Sequence, residues 1–235
     1  MAQINICIYC TETNDRLKLA KESIASLMDT VDLNRHKVVL INNNSTKETA
    51  EWLSGLKDVK VITLSQNVGT ARGINFGLRL ADKDVVQIKS DEDVVWHQSG
   101  WADELERVIM ERPEIGILGL KRDDVYGNFT EDGELLWSDD VMGTCIAFNP
   151  ALLEKIGYLF QFSNYGFEDS LVCVRSMAAG FKNAFLPAIK ISHIDPGAST
   201  YTEWKKREAS TYLQEASIYM DKIKSGQLSY YYGGE

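Results

Sequence analysis

Proline is scarce, with four in 235 residues, cysteine and histidine number four and three, and the acidic side chains outnumber the basic ones by 34 to 25. Each shortage excludes something. A chain that is 44% hydrophobic and 25% charged is too apolar to stay disordered, and its length makes one domain the default. The most membrane-like run, Val141 to Leu153, is too short to span a bilayer and contains Asn149 and Pro150. Met1 to Asp15 offers no basic start followed by a long apolar core, so the sequence predicts neither secretion nor a transmembrane segment, and a cytoplasmic protein is expected. Cys7 and Cys10 form a CxxC pair, but Cys145 and Cys173 are distant and all four lie among apolar residues. Buried thiols in a reducing compartment suit this pattern better than a zinc site or a disulfide framework. The formal charge of -9 disfavours general affinity for a polyanion, although a local basic patch can still hold one phosphate-bearing ligand.

The first half of the chain alternates short β-rich runs with helical periodicity. Ile4 to Tyr9, Lys37 to Ile41, Val59 to Leu64 and Asp84 to Ile88 read as strands. Between them, Leu17, Ala20, Ile24 and Leu27 share one helical face, as do Ala71, Ile74, Leu78 and Ala81. Ser45, with Glu48 three residues on, is read as an N-cap. The order strand, helix, strand predicts a mostly parallel central sheet with helices on both faces. Further on, a helix from Trp101 stops near Pro113, Ile115 to Leu120 and Met142 to Phe148 read as strands, and Tyr126 to Trp137 reads as an exposed loop or hairpin. A helix over Glu168 to Ala179 is closed by Gly180, and Ala188 to His193 is the last strand. The final helix, from about Glu203, is expected to turn Ala209, Leu213, Ala216, Met220 and Ile223 inward.

In a parallel sheet the segments after the strands hold the ligands. The acidic triplet Asp91-Glu92-Asp93 follows the apolar run VVQI. Asp91 and Asp93, two apart in extended backbone, point the same way and can both reach one divalent cation, while the same residues also suit a solvated acidic turn. His193-Ile194-Asp195, after another apolar strand, can complete an oxygen and nitrogen ligand set. In NVGTARGINF, Gly69 can take a positive φ, Thr70 can cap and Arg72 sits in the first turn, so amides and a guanidinium can meet a diphosphate. Neither the Walker pattern nor GxGxxG is present, and Gly73 and Gly77 can equally serve to bring the helix close to the sheet. Glu168 and Asp169 open a helix after the aromatic loop FQFSNYG. They can act as N-terminal charges, or one can act as a general base. Trp96, His97 and Trp101 can line a pocket, though tryptophan in a core is commoner.

With these residues in place, the chain resembles a nucleotide-sugar glycosyltransferase of family two with the GT-A fold. NNNST resembles that family's second strand followed by Asp-Asp-Gly-Ser-Thr, and QNVGTARGINFGL its Asn-x-Gly-x-x-x-Ala-x-Asn-x-Gly stretch. SDED resembles its DxD-type metal motif, MGTCIAFNPALLEKIGYL the start of its acceptor subdomain, and GFEDSL its Glu-Asp motif. The resemblance covers roughly residues 2 to 195.

The resemblance implies a single GT-A-like domain, with a small acceptor-side subdomain, over residues 1 to 235. Within it, 1–95 would form the nucleotide-sugar half, 96–202 the acceptor side, and 203–235 a C-terminal helix and tail. Cys10, Thr11 and Glu12 would lie around the nucleobase and ribose. Asn43 would stand where the family usually has an acidic contact, Arg72 would approach the diphosphate, and Asp91 would touch ribose or metal. Asp93 and His193 would ligate Mn2+ or Mg2+. Asp169 would be the base, with Glu168 supporting the acceptor or sugar. The implied donor is a nucleoside-diphosphate sugar, a UDP-sugar by family resemblance, and the acceptor is a glycan or other hydroxyl, a modified DNA base included. Tyr126 to Trp137 and Pro196 to Thr202 are the expected acceptor and lid elements. Two other classes use the same residues: a nucleotidyltransferase, which releases pyrophosphate, and a non-catalytic nucleotide-sugar or glycan-binding module.

Overall fold

The computed structural model describes residues 1–14, 16–195, 197 and 200–234. Its centre is one mixed sheet in the order β3-β2-β1-β4-β9-β6-β10-β8-β7. The parallel part is β1 (Ala2–Ile8), β2 (Lys37–Asn42), β3 (Lys60–Thr63) and β4 (Val86–Ser90). The crossovers between them are α1 (Arg16–Thr30), α2 (Lys47–Ser54) and α3 (Thr70–Leu78). Every residue of β1 and β4 is buried, as in a strand covered on both faces.

The mostly parallel sheet expected from the sequence holds for this half, and the rest of the sheet is mixed parallel and antiparallel. β9 (Cys145–Phe148) inserts antiparallel between β4 and β6 (Ile115–Arg122). No crossover helix separates β6 from β9, so the chain can return antiparallel. The segment Tyr126 to Trp137 contains a hairpin of β7 (Thr130–Asp132) and β8 (Leu135–Trp137), which extends the sheet edge. β10 (Lys182–His193) is six residues longer at its start than the expected Ala188 to His193, and pairs with β6, β8 and the short β5 (Val94–Trp96). The chain's other helices are α4 (Trp101–Glu111), α5 (Pro150–Ile156), α6 (Glu168–Ala178) and α7 (Thr200–Lys224).

Local chemistry corrects two further expectations. Thr46, not Ser45, is the N-cap of α2, accepting from Thr49 N–H. The Ser45 hydroxyl instead accepts from Cys10 N–H and donates to Ile8 C=O, joining the ends of β1 and β2. On α7, Ala216 and Ile223 are buried but Leu213 is 58% exposed, because it lies at the margin of the stripe that rests on the neighbouring elements. Gly73 and Gly77 let α3 lie close to β1: a Cβ on Gly73 would sit 2.4 Å from Cys7 Sγ, and one on Gly77 2.3 Å from Asn5 Oδ1. Trp96 and Trp101 stack 5.1 Å apart inside the core and are not pocket walls, while His97 pairs with Ser192 Oγ at 2.7 Å.

Candidate active site

β4 delivers the acidic triplet. The strand ends at Ser90, whose hydroxyl donates to Thr144 C=O at 2.9 Å, and Asp91 N–H donates to the same carbonyl at 3.0 Å. These bonds tie the triplet to the entry of β9. β10 delivers the histidine: in the β5–β10 ladder His193 lies opposite Val94, and Ile194 N–H donates to Asp93 C=O at 2.9 Å. His193 Nε2 therefore comes within 3.1 Å of Asp93 Oδ2.

The ligand atoms of Asp93, His193 and Asp195 lie within 4.8 Å of one another. Asp93 is 2% exposed, and its Oδ1 is buried without a hydrogen-bond partner. A buried carboxylate oxygen left unsatisfied is costly, and a cation restores what it lacks. Two carboxylates and one imidazole are a donor set that hard and borderline divalent ions such as Mg2+ and Mn2+ accept. Burial alone would raise the Asp93 pKa, but hydrogen bonding from His193 and the charge of Arg16 outweigh it and hold the carboxyl well below the usual range. It stays ionised.

The Glu-Asp pair sits across the same cavity. Gly166, at φ 103°, and Phe167, at φ 66°, turn the backbone sharply into α6, so its first two side chains diverge. Glu168 folds inward and accepts from Gly166 N–H at 3.0 Å. Burial, with the neighbouring Asp169 adding to it, pushes its carboxyl up to about 7 despite Lys89. Asp169 faces the cavity with its side chain 35% exposed. Gly143 is seated against it: a Cβ there would lie 1.8 Å from Asp169 Oδ1, so no larger residue fits.

Lys89, 2% exposed, joins the two halves. Its ammonium donates to Gly143 C=O at 2.6 Å and pairs with Asp91 Oδ1 at 2.8 Å and Asp169 Oδ1 at 3.5 Å. Burial would lower its pKa, but the carboxylates of Asp169 and Asp91 reverse this and keep it charged. Burial also pushes Asp91 up to about 6, against the pull of Lys89. Arg16, the first residue of α1, donates to Glu92, Asp93 and Asp195.

The structure thus brings Asp91, Asp93, Glu168, Asp169 and His193 to one cavity of about 150 Å3 at the carboxyl edge of the parallel strands. Asn43 lines a small adjoining space of about 20 Å3 with Thr70, Glu92, Tyr201 and Trp204. Its side chain is fully engaged, donating to Asn67 Oδ1 and Gly69 C=O and accepting from Val68 N–H. Thr11 and Glu12 line a separate groove of about 590 Å3 with Lys18 and Lys47.

Two residues stay away from these spaces. Cys10 is buried in the core, its thiol pushed up to about 12 by burial, and only its backbone reaches the strand ends. Arg72 is exposed outside the cavity lining, because Ala71, Gly73 and Ile74 take the sheet side of α3. The amides expected to meet an anion there already have partners: Gly69 N–H donates to Asn67, Thr70 N–H to Asn164 C=O and Ala71 N–H to Gln161 Oε1. All four cysteines are free thiols. The lid segment Pro196 to Thr202 falls partly on residues 196, 198 and 199, outside the described residues.

Arg16, Lys89, Arg122, Tyr165, Tyr201 and Lys205 also line the cavity; Tyr165 belongs to the aromatic loop FQFSNYG and Tyr201 to the expected lid. A second group, His36, Asp103 and Glu106, is spaced like metal ligands, but its members are already partnered. Ala2 N–H donates to His36 Nδ1, His36 Nε2 pairs with Asp103, and Arg35 pairs with both carboxylates.

A parallel half-sheet whose carboxyl edge carries a cation-competent cluster facing a second carboxylate pair defines an α/β protein with its ligand crevice at that edge. Residues 7–186 match the family model "Glycosyl transferase family 2", and the chain belongs to that family. The fold is GT-A-like. A mannosyltransferase, PcManGT from Pyrobaculum calidifontis, solved with GDP-Man and Mn2+, superposes with a TM-score of 0.70 at 18% identity, over 88% of this chain and 60% of that one. S. aureus TarS 1-349 in complex with UDP-GlcNAc gives 0.60 at 18% identity, over 95% and 70%. GalNAc-T7 with UDP, GalNAc and Mn2+ gives 0.62 at 15% identity, over 93% and 50%. This chain therefore spans only part of the length of these structures. No curated protein matches the sequence. Among the described residues no helix is long and apolar enough to cross a membrane.

Proposed function

We propose that the protein is a metal-dependent glycosyltransferase that moves a sugar from a nucleoside-diphosphate sugar to an acceptor hydroxyl with inversion. One observation carries this reading. The trio of Asp93, His193 and Asp195 includes a buried unpartnered oxygen, Asp93 Oδ1, and two of its members, Asp93 and His193, line one cavity with Asp169. Asp93, His193 and Asp195 would hold Mn2+ or Mg2+, with Asp91 at the ribose or the ion. A bound divalent ion supplies charge neutralisation for the departing diphosphate. Asp169 takes the proton from the attacking hydroxyl, because it is the carboxylate of the pair that faces the open cavity. Lys89 fixes the Asp169 carboxylate from below while its charge is balanced by Asp91. Glu168 supports the turn through Gly166 and, carrying a proton near neutrality, limits the charge repulsion beside Asp169.

The relatives whose structures were solved with GDP-Man, UDP-GlcNAc or UDP support a nucleotide-sugar donor, and a UDP-sugar is the first to test. Residues 1–95 then form the donor half, 96–202 the acceptor side and 203–235 the closing helix and tail. Asn43, Thr11 and Glu12 border the nucleoside, with Cys10 acting through its backbone and Arg72 outside reach of the diphosphate. The acidic surroundings and net charge favour a glycan or small hydroxyl acceptor over modified DNA. Four buried free thiols favour a reducing, cytoplasmic setting.

The test is a thermal-shift screen of nucleotide sugars with and without Mn2+, followed by product analysis. Metal-dependent stabilisation, nucleoside diphosphate release and an inverted anomeric centre are expected. Pyrophosphate release would replace this reading with a nucleotidyltransferase, and binding without turnover across acceptors would replace it with a binding module.

A further inference from the structure

Arg16 occupies an unusual place. It opens α1, where the helix dipole disfavours a cation, yet its side chain is only 4% exposed. Carboxylates hold it there. Nη2 donates to Asp93 Oδ2 at 2.6 Å, Nη1 to Asp195 Oδ2 at 3.1 Å, and Nε and Nη2 both reach Glu92 Oε1, at 3.0 and 2.8 Å. Asp93 and Asp195 belong to the cation-competent trio and Glu92 does not. The guanidinium thus spans the trio's two carboxylates, with Lys205 also on Asp195 Oδ2 at 2.6 Å, and among the described residues Asp93 Oδ1 is buried without a partner. A divalent ion bound by the same oxygens would face this positive group at short range in a site with little water to screen it.

We propose that Arg16 is a displaceable counter-ion of the metal site: it neutralises Asp93 and Asp195 when no ion is bound, and it withdraws onto Glu92 when the ion arrives. This rests on the metal reading given above. Glu92 is suited to be the resting partner, since it takes two of the guanidinium's bonds without competing for the ion. The middle residue of the acidic triplet thereby acquires a task distinct from that of its neighbours. Competition between two cations for one pair of carboxylates makes metal affinity lower than the ligand set alone would give, and it couples ion binding to movement of the end of α1.

The experiment is a Mn2+ titration, followed by the electron paramagnetic resonance of the free ion, on the full chain and on Arg16→Gln. The variant is expected to bind Mn2+ more tightly by at least about 5-fold, the low end of ordinary coupling between competing ligands. It should also show a larger gain in melting temperature on adding the ion. Equal or weaker binding by the variant, with binding intact in the wild type, would overturn the role of Arg16 and leave the metal reading standing. No Mn2+ binding by either protein would overturn both. The wild type gives a second measurement that does not depend on the variant folding. In a Mg2+ titration followed by guanidinium 15N resonances, the Arg16 Nη signals should shift while Nε stays hydrogen-bonded. An Arg16 guanidinium unchanged at saturating Mg2+ would overturn the proposal.

Discussion

Two carboxylates one residue apart in sequence have opposite environments, and their chemistry separates accordingly. Asp169 faces the cavity beside Lys89, and Glu168 is 6% exposed and closed over Gly166. Replacing Asp169 by Asn keeps the shape and the contact with Gly143, so donor affinity should persist while transfer falls at least about 100-fold, as when a general base is lost. Steady-state rates at saturating donor and acceptor, with calorimetry for the donor, decide this. Near wild-type transfer would exclude Asp169 as the base. Glu168 makes a prediction about pH. Its folded pKa of about 7 lies above the ordinary 4.5, so the folded state holds the proton more tightly. The associated stability is full below about pH 4.5 and lost as the pH rises through 7. At about 1.4 kcal/mol per pH unit, the loss is on the order of 3 kcal/mol. Glu168→Gln, which keeps an acceptor for Gly166, should gain melting temperature over the metal-free wild type between pH 5 and pH 8. A difference that does not grow with pH would show that Glu168 is ionised throughout.

At the scale of elements, the first turn of α7 closes the site. Tyr201 stacks on Trp204 at 5.5 Å, Trp204 meets Tyr165 at 5.8 Å, and Lys205 pairs with Asp195 at 2.6 Å. The space left between these rings and Asn43 is about 20 Å3, far below the roughly 300 Å3 or more that a small-molecule site occupies. A nucleoside diphosphate seated there has to displace this turn. Adding UDP and Mn2+ should therefore change the tryptophan fluorescence, and Trp204→Phe should remove the change. A signal that survives the substitution would show that the nucleotide enters elsewhere. The sequence marks Pro196 to Thr202 as a lid, which includes Tyr201, but does not show the contacts that Trp204 and Lys205 make. The β-branched runs and the acidic triplet after VVQI are local signals, and the structure places them at the strand ends as read. Lys89 stands two residues before Asp91 and Arg16 closes the segment CTETNDR, but each also has a carboxylate partner far along the chain, Asp169 for Lys89 and Asp195 for Arg16. The amide of Ala71 in α3 looked open to an anion because its partner, Gln161, is 90 residues away. The three-residue β5 is too short to show a period, yet it sets the position of His193.

For the molecule as a whole, the metal site predicts a stability that depends on the ion. A ligand at about 100 times its Kd adds about 2.7 kcal/mol to a folded state that alone binds it. For a domain of this size that corresponds to a rise of roughly 5–11 °C in Tm, which Mn2+ should give and EDTA should reverse. A Tm indifferent to both would remove the ion from the folded protein. The ladder between β5 and β10 has one more consequence, for the time course of folding. Asp93 is joined to His193 across about 100 residues of chain, and every intermediate that lacks β10 lacks the trio. Assembly of the trio therefore waits for β10 to pair with β5, whatever else has already formed. In a refolding experiment the ion would be blind to species without this pairing and would report only on chains whose two halves have been stitched together.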